Sequence, residues 1–224
     1  MIFLGVDHRE PKSLKAAENS LARVSPWADP VLLDAERLAD RGLLWRPQDR
    51  RGNVYDLISN APCSTDFAIS RFLVPILCQS GWALFTDSDV VFMRDVRELF
   101  DLSDPSKAVM VVQHENVPES GTKMDGQVQT SYARKNWSSV MLFNCDHPAN
   151  QRLTLHDVNS RTGRWLHRFG WLADSEIGAL PAEWNWLVGV QAMPDNPGIA
   201  HFTLGTPELI EGPYSDIWWR AYGR

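Results

Sequence analysis

In the stretch ALFTDSDVVFM, residues 83–93, two acids stand inside an otherwise apolar run with one serine between them. On a strand, side chains two apart share a face, so Asp87 and Asp89 project together while Ser88 points away. Like charges this close repel unless a cation lies between them. Mg²⁺ and Mn²⁺ suit such a pair, because they take one or two carboxylates and fill their remaining positions with water and substrate phosphates. A bare Asp-x-Asp is most often a solvated turn. Its position between WALF and VVF argues for a site instead.

The composition agrees with a local cation. Over 224 residues the formal net charge is −6, and the basic residues are scattered among acids. That excludes the basic footprint of a nucleic-acid or anionic-membrane binder, so an anionic ligand needs its own counter-charge. A hydrophobic content of 44% supports one well-buried domain. Cys63, Cys78 and Cys145 are odd in number and widely spaced, without a CxxC pair, which fits the reducing cytoplasm. The longest apolar run, FLVPILCQSGWALF, is broken by Pro75 and Gly81, so neither a signal peptide nor a membrane span is expected.

The elements that must carry the acids alternate in type. MIFLGV reads as a buried strand, and Leu14, Ala17, Leu21 and Val24 repeat at helical spacing behind Ser13 or Glu10. PVLLDAERL holds a second short strand, and residues 40–62 read as loop. STDFAISRFLVPILCQSG reads as a helix capped by Ser64 or Thr65, kinked at Pro75 and stopped at Gly81. WALFTD is the next strand and DVRELFD a short helix with Asp95 as cap. AVMVVQ, VMLFN and IAHFTL are further strands. Apolar strands interleaved with helices predict an α/β domain whose mostly parallel sheet is covered on both faces and binds ligands at the carboxyl ends of its strands.

Other segments keep a fixed order around the two acids: VDHRE with Asp7, His8 and Arg9; ISRFLVP with Arg71; WSSVMLFN with Ser138 and Ser139; DSEIGALPAEWNW with Asp174, Ser175 and Glu176; HFTLGTPEL with His201 and Gly205. Together with LFTDSDVVFMRDVRELF they resemble glycosyltransferase family 8, the retaining GT-A enzymes that use nucleotide sugars. The resemblance implies a single GT-A-type domain, residues 1–110 forming its nucleotide-binding half and 111–224 its donor-sugar and acceptor half. It implies Asp87, Asp89 and His201 as metal ligands. Asp7, His8, Arg9, Arg71, Ser88, Ser138, Ser139 and Gly205 fall to the nucleotide sugar, with Asp7 at the base and Arg71 at the sugar. Asp174, Ser175 and Glu176 are then expected beside the reaction.

The chain departs from the family pattern where Trp137, Ser138 and Ser139 replace Asn, Ala and Gly, where Ser175 replaces Gln, and where GTPEL lacks the family's lysine and tryptophan. Taken alone, Arg71 would pair with Asp66 on a helix surface, and His201 would be an ordinary packed histidine. Ten tryptophans are present. Most are expected in packing, and the terminal IWWRAYGR is the segment most suited to a peripheral or dimer contact.

The leading reading is a metal-dependent hexosyltransferase, using Mn²⁺ or Mg²⁺ and a UDP-sugar to glycosylate a glycan or other hydroxyl acceptor. A phosphatase of the haloacid dehalogenase type, using Asp87 and Asp89, is the second. A complete strand and helix before Asp87, and the lack of a downstream Asp-Asp pair, oppose it. The third is a non-catalytic sugar-nucleotide-binding protein of the same fold.

Overall fold

The computed structural model describes residues 1–49, 51, 54–115, 134 and 136–224. The chain opens with β1 (Ile2–Gly5), α1 (Pro11–Val24), β2 (Val31–Leu33) and α2 (Ala35–Asp40). α1 begins at a proline behind Glu10, and its buried face includes Ala16, Ala17, Ser20 and Leu21. Asp34 caps α2 by accepting from the backbone N–H groups of Glu36 and Arg37.

The expected loop at 40–62 contains a small antiparallel sheet of β3 (Gln48–Asp49), β4 (Tyr55–Asp56) and β5 (Ala61–Pro62), with residues 50, 52 and 53 outside the described ones. A buried ion pair holds it in place: Arg46 Nε and Nη2 lie 2.6 and 2.7 Å from the Asp56 carboxylate. Strands two residues long carry no periodic signal, so the sequence concealed them.

The long helix expected from Ser64 to Gly81 is also reorganised. A 3₁₀ turn covers Ser70–Leu73, and only then does α3 (Val74–Cys78) follow. Pro75 sits in the first turn of α3 rather than kinking a longer helix, since there its missing N–H costs nothing.

Next come β6 (Trp82–Thr86), β7 (Val90–Phe92), α4 (Arg97–Phe100), β8 (Val109–Val111), β9 (Val140–Asn144), α5 (Leu155–Ser160), α6 (Gly163–His167), β10 (Ile177–Ala179), β11 (Trp186–Leu187), β12 (Ile199–His201) and α7 (Ser215–Tyr222). The central sheet has the order β10-β8-β9-β6-β1-β2. All its neighbouring pairs are parallel except those of β9, which runs against β6 and β8. The carboxyl ends of β1, β6 and β8 therefore share one edge.

Alternate strand residues feed two cores. Phe3, Phe85, Val109 and Met141 pack with Phe67, Phe72 and Trp171 on one face; Ile2, Leu4, Leu84 and Leu142 pack with Leu21, Leu99 and Trp184 on the other. Close packing is explicit at Gly5, where an added Cβ would fall 2.4 Å from the Phe67 ring.

α7 lays Trp218 and Ala221 into a third cluster with Ala16, Val91 and Trp186. The IWWRAYGR segment thus spends its apolar face inside the domain. Among the described residues, no helix is long and apolar enough to cross a membrane.

Candidate functional site

β6 ends at Thr86 and β7 starts at Val90, so Asp87, Ser88 and Asp89 form a bend between two sheets rather than a continuous strand. The acids converge because the bend is pinned on both sides. Asp87 N–H donates to Ser139 O at 2.9 Å, and Phe202 N–H donates to Asp89 O at 2.9 Å. The second bond brings β12 alongside, since His201 is in register with Val90 of β7.

Asp87, Asp89 and His201 thereby offer ligand atoms within 4.8 Å of one another. His201 Nε2 stands 3.3 Å from Asp89 Oδ1. Two carboxylate oxygens and one imidazole nitrogen fit Mn²⁺ or Mg²⁺ with positions left for phosphate oxygens.

The histidine tautomer follows from its neighbours. Asn185 Nδ2 donates to Asn136 O at 3.2 Å and to Ser139 Oγ at 2.9 Å, which leaves Oδ1 facing His201 Nδ1 at 3.0 Å. A carbonyl oxygen only accepts, so Nδ1 carries the proton and Nε2 keeps its lone pair for the metal. Asn185 was legible only as part of the LPAEWN frame; its role needs the fold.

Arg71 is 3% exposed, and its Nη1 lies 2.7 Å from Asp87 Oδ1 and donates to Ser138 O at 2.8 Å. Its guanidinium is also stacked 5.1 Å from each of the Phe67 and Phe85 ring centres. It therefore braces Asp87 against the turn that leads into β9, and its acidic partner is Asp87 rather than Asp66. Asp66 instead accepts from His8 N–H at 3.1 Å.

Ser88 and Asp89 line an open cleft together with Asp7, Glu10, Thr65 and Gly205. Asp7, expected at the nucleotide base, is saturated. Arg9 Nε and backbone N–H bind its Oδ1 at 2.9 and 3.0 Å, and Arg9 Nη2 and Asp66 N–H bind its Oδ2 at 2.6 and 3.3 Å. His8 leans instead on Asp34, at 3.4 Å.

Glu10 lacks an arginine clamp and accepts instead from the Ser13 hydroxyl at 3.1 Å. Burial, then the charge of Asp89, pushes its carboxyl up to about 7. Sequence reasoning treated Glu10 only as a helix start.

Ser138 and Ser139 reach the site through their backbone carbonyls, and the Ser139 hydroxyl also accepts from Asn185 Nδ2. Ser138 Oγ lies 2.7 Å from His167 Nδ1, and Ser139 Oγ donates to Asn136 O at 2.7 Å. Burial pushes the His167 imidazole down to about 3.

His114, past the carboxyl end of β8, is a buried histidine that the sequence did not single out. Burial and then His201 lower it to about 4. Gln191 Oε1 accepts from Leu187 N–H at 3.1 Å, so its amide nitrogen faces His114 Nδ1 at 3.3 Å.

The expected trio Asp174, Ser175 and Glu176 is not brought to the cluster. It precedes β10, which runs parallel to β8, so the trio lies at the amino edge of the sheet. Ala108 N–H donates to Glu176 O, and Lys107 Nζ to Ser175 O at 2.9 Å. Asp174 is 90% exposed and pairs with Arg134; Glu176 holds Arg152 at 2.5 Å and Ala173 N–H at 2.7 Å. Matching the DSE letters ignored strand direction, which fixes the edge.

The fold is the GT-A glycosyltransferase fold. A mutant of LgtC superposes with a TM-score of 0.60 at 13% identity, over 99% of this chain and 95% of that one. The glycosyltransferase GlyE of Streptococcus pneumoniae TIGR4, in its apo form, gives 0.57 at 13% identity over all of this chain, which spans only 60% of the GlyE chain. Mouse xyloside xylosyltransferase 1 gives 0.50 at 13% identity, over 89% of this chain and 96% of that one.

Protein CDI of Arabidopsis thaliana is 42% identical over 225 residues, 97% of this chain and 80% of that protein. The chain belongs to the Protein CDI family. No family model matches it.

Proposed function

We propose that the protein is a metal-dependent glycosyltransferase of the family 8 type, moving a hexose from a nucleoside-diphosphate sugar, with UDP as the nucleotide, onto a carbohydrate or other hydroxyl acceptor. The observation that carries this reading is the convergence of Asp87, Asp89 and His201 within 4.8 Å at the carboxyl edge of a glycosyltransferase-type sheet. A bound Mn²⁺ or Mg²⁺ would supply positive charge for the diphosphate, which an acidic chain otherwise lacks.

The chain's own residues do the rest. Asn185 holds the His201 tautomer, and Arg71 fixes Asp87 against Ser138. Ser88 and Gly205 line the cleft for the nucleotide. The C1–oxygen bond of the donor breaks with its electron pair passing to the diphosphate, and the acceptor hydroxyl forms the new bond on the same face, giving retention. Its proton leaves on the departing diphosphate oxygen. Front-face attack requires no carboxylate nucleophile, and Asp174 and Glu176 stand at the far edge of the sheet.

UDP release from a panel of UDP-hexoses, with and without Mn²⁺, tests the reading. Metal-dependent release from at least one donor, lost in Asp87→Asn, supports it. Absence of release from every donor, despite UDP binding, would favour a non-catalytic sugar-nucleotide binder.

A further inference from the structure

His114 follows β8, on the side of β6 away from β1. Two hydrogen bonds fix its place. Trp137 Nε1 donates to its backbone carbonyl at 3.0 Å, and Trp137 opens the turn whose Ser139 carbonyl accepts from Asp87 N–H. Gln191 meets its ring at 3.3 Å, and the N–H that anchors Gln191 is that of Leu187 in β11, which is in register with His201 of β12. The imidazole is thus held by the two segments that pin Asp87 and carry His201.

The same bonds set its tautomer. Gln191 Oε1 is taken by Leu187 N–H, so the amide nitrogen donates to His114 Nδ1. An accepting Nδ1 leaves the proton on Nε2. His114 is 8% exposed, and among the described residues its Nε2 has no hydrogen-bond partner. A buried N–H without an acceptor costs free energy that a ligand oxygen would recover.

The position of the ring decides which oxygen. Asp7 and Glu10, which follow β1, line the open cleft together with Ser88 and Asp89, and His114 is not part of that lining. With the diphosphate at Asp87, Asp89 and His201, a nucleoside in that cleft directs the transferred sugar the other way, toward β9 and β8. A neutral N–H there brings no charge for phosphates and suits a hydroxyl oxygen.

Resting on the proposed nucleotide-sugar site, we infer that His114 is a specificity-determining residue for the transferred hexose, its Nε2–H donating to a hydroxyl oxygen of the sugar. Gln191 is the positioning residue that keeps the proton on Nε2.

Calorimetric titration at saturating Mn²⁺ tests this by comparing UDP with UDP-glucose and UDP-galactose on the wild type, His114→Ala, His114→Gln and Gln191→Ala. UDP affinity is expected to stay within about twofold of wild type in every variant, which also shows that each is folded. For the UDP-hexose that the wild type binds more tightly, His114→Ala should lose about threefold to tenfold, the worth of one neutral hydrogen bond. His114→Gln, which keeps an N–H donor, and Gln191→Ala, which frees the tautomer, should each lose less.

UDP-hexose affinity within about twofold of wild type in His114→Ala would overturn the assignment and turn the Nε2–H toward the acceptor. An equal loss for UDP and UDP-hexose would overturn it as well, placing His114 with the diphosphate. Both results leave the metal–nucleotide reading intact. A wild type that binds neither UDP nor a UDP-hexose would overturn both.

Discussion

Asn185 Oδ1 faces His201 Nδ1 at 3.0 Å, with the Asn185 amide nitrogen already committed to Asn136 and Ser139. The relationship leaves Nε2 as the imidazole nitrogen open to the proposed metal. Partners of this kind commonly contribute tenfold to a hundredfold in metal affinity. Asn185→Ala is therefore expected to weaken Mn²⁺ affinity by about that factor while His201 remains in place. Unchanged Mn²⁺ affinity in this variant would show that the tautomer is fixed by something else.

Arg71 joins Asp87 to the Ser138 carbonyl in a place where both ionic partners are buried. Removing one partner of a buried pair costs about 3–5 kcal/mol. Arg71→Ala should lose about that much in urea denaturation, and Arg71→Lys should recover only part, because an ammonium cannot reproduce the planar fork. A loss below about 1 kcal/mol for alanine would mean that water replaces the guanidinium.

Stability should fall on acidification from pH 6.5 to 4.5. His114 and His167, held at about 4 and 3 when folded against 6.5 ordinarily, contribute fully above 6.5 and lose that contribution as the unfolded chain takes up protons. Glu10 acts in the opposite sense. Its carboxyl, raised from 4.5 to about 7, contributes fully below 4.5 and loses that contribution as pH rises through 7. In this window the two histidines oppose the glutamate. Glu10→Gln removes the opposition, so its stability should fall more steeply than the wild type's. Thermal denaturation across the window checks this; parallel slopes would contradict the assignment of Glu10.

Asp174→Ala and Glu176→Ala should leave metal-dependent UDP affinity within about twofold of wild type. Both side chains lie at the amino edge of the sheet and make exposed pairs, worth about 1 kcal/mol or less to stability. A large loss of nucleotide binding in either would return the pair to the site.

What the sequence revealed is what short-range periodicity and a long motif encode. Apolar runs located β1, β6, β8 and β9 and singled out the acids at 87 and 89, whereas His201 stood out only through the resemblance to family 8. Distant register was not legible. Parallel pairing of β10 with β8 sends Asp174 to the wrong edge for catalysis, and nothing in the letters DSE records that direction. The Asp7–Arg9 chelate was equally hidden, since two residues near in sequence give no sign that one will occupy the other's carboxylate. Asn185 and His114 act through hydrogen-bond geometry that only the assembled loops create.

The central claim is that Asp89 helps hold a metal that in turn holds a nucleoside diphosphate. Calorimetric titration of UDP into the wild type and Asp89→Ala, each with and without Mn²⁺, tests it most directly. The expected result is UDP binding by the wild type only with Mn²⁺, and its loss in Asp89→Ala. Mn²⁺-dependent UDP binding that survives in Asp89→Ala would contradict the account.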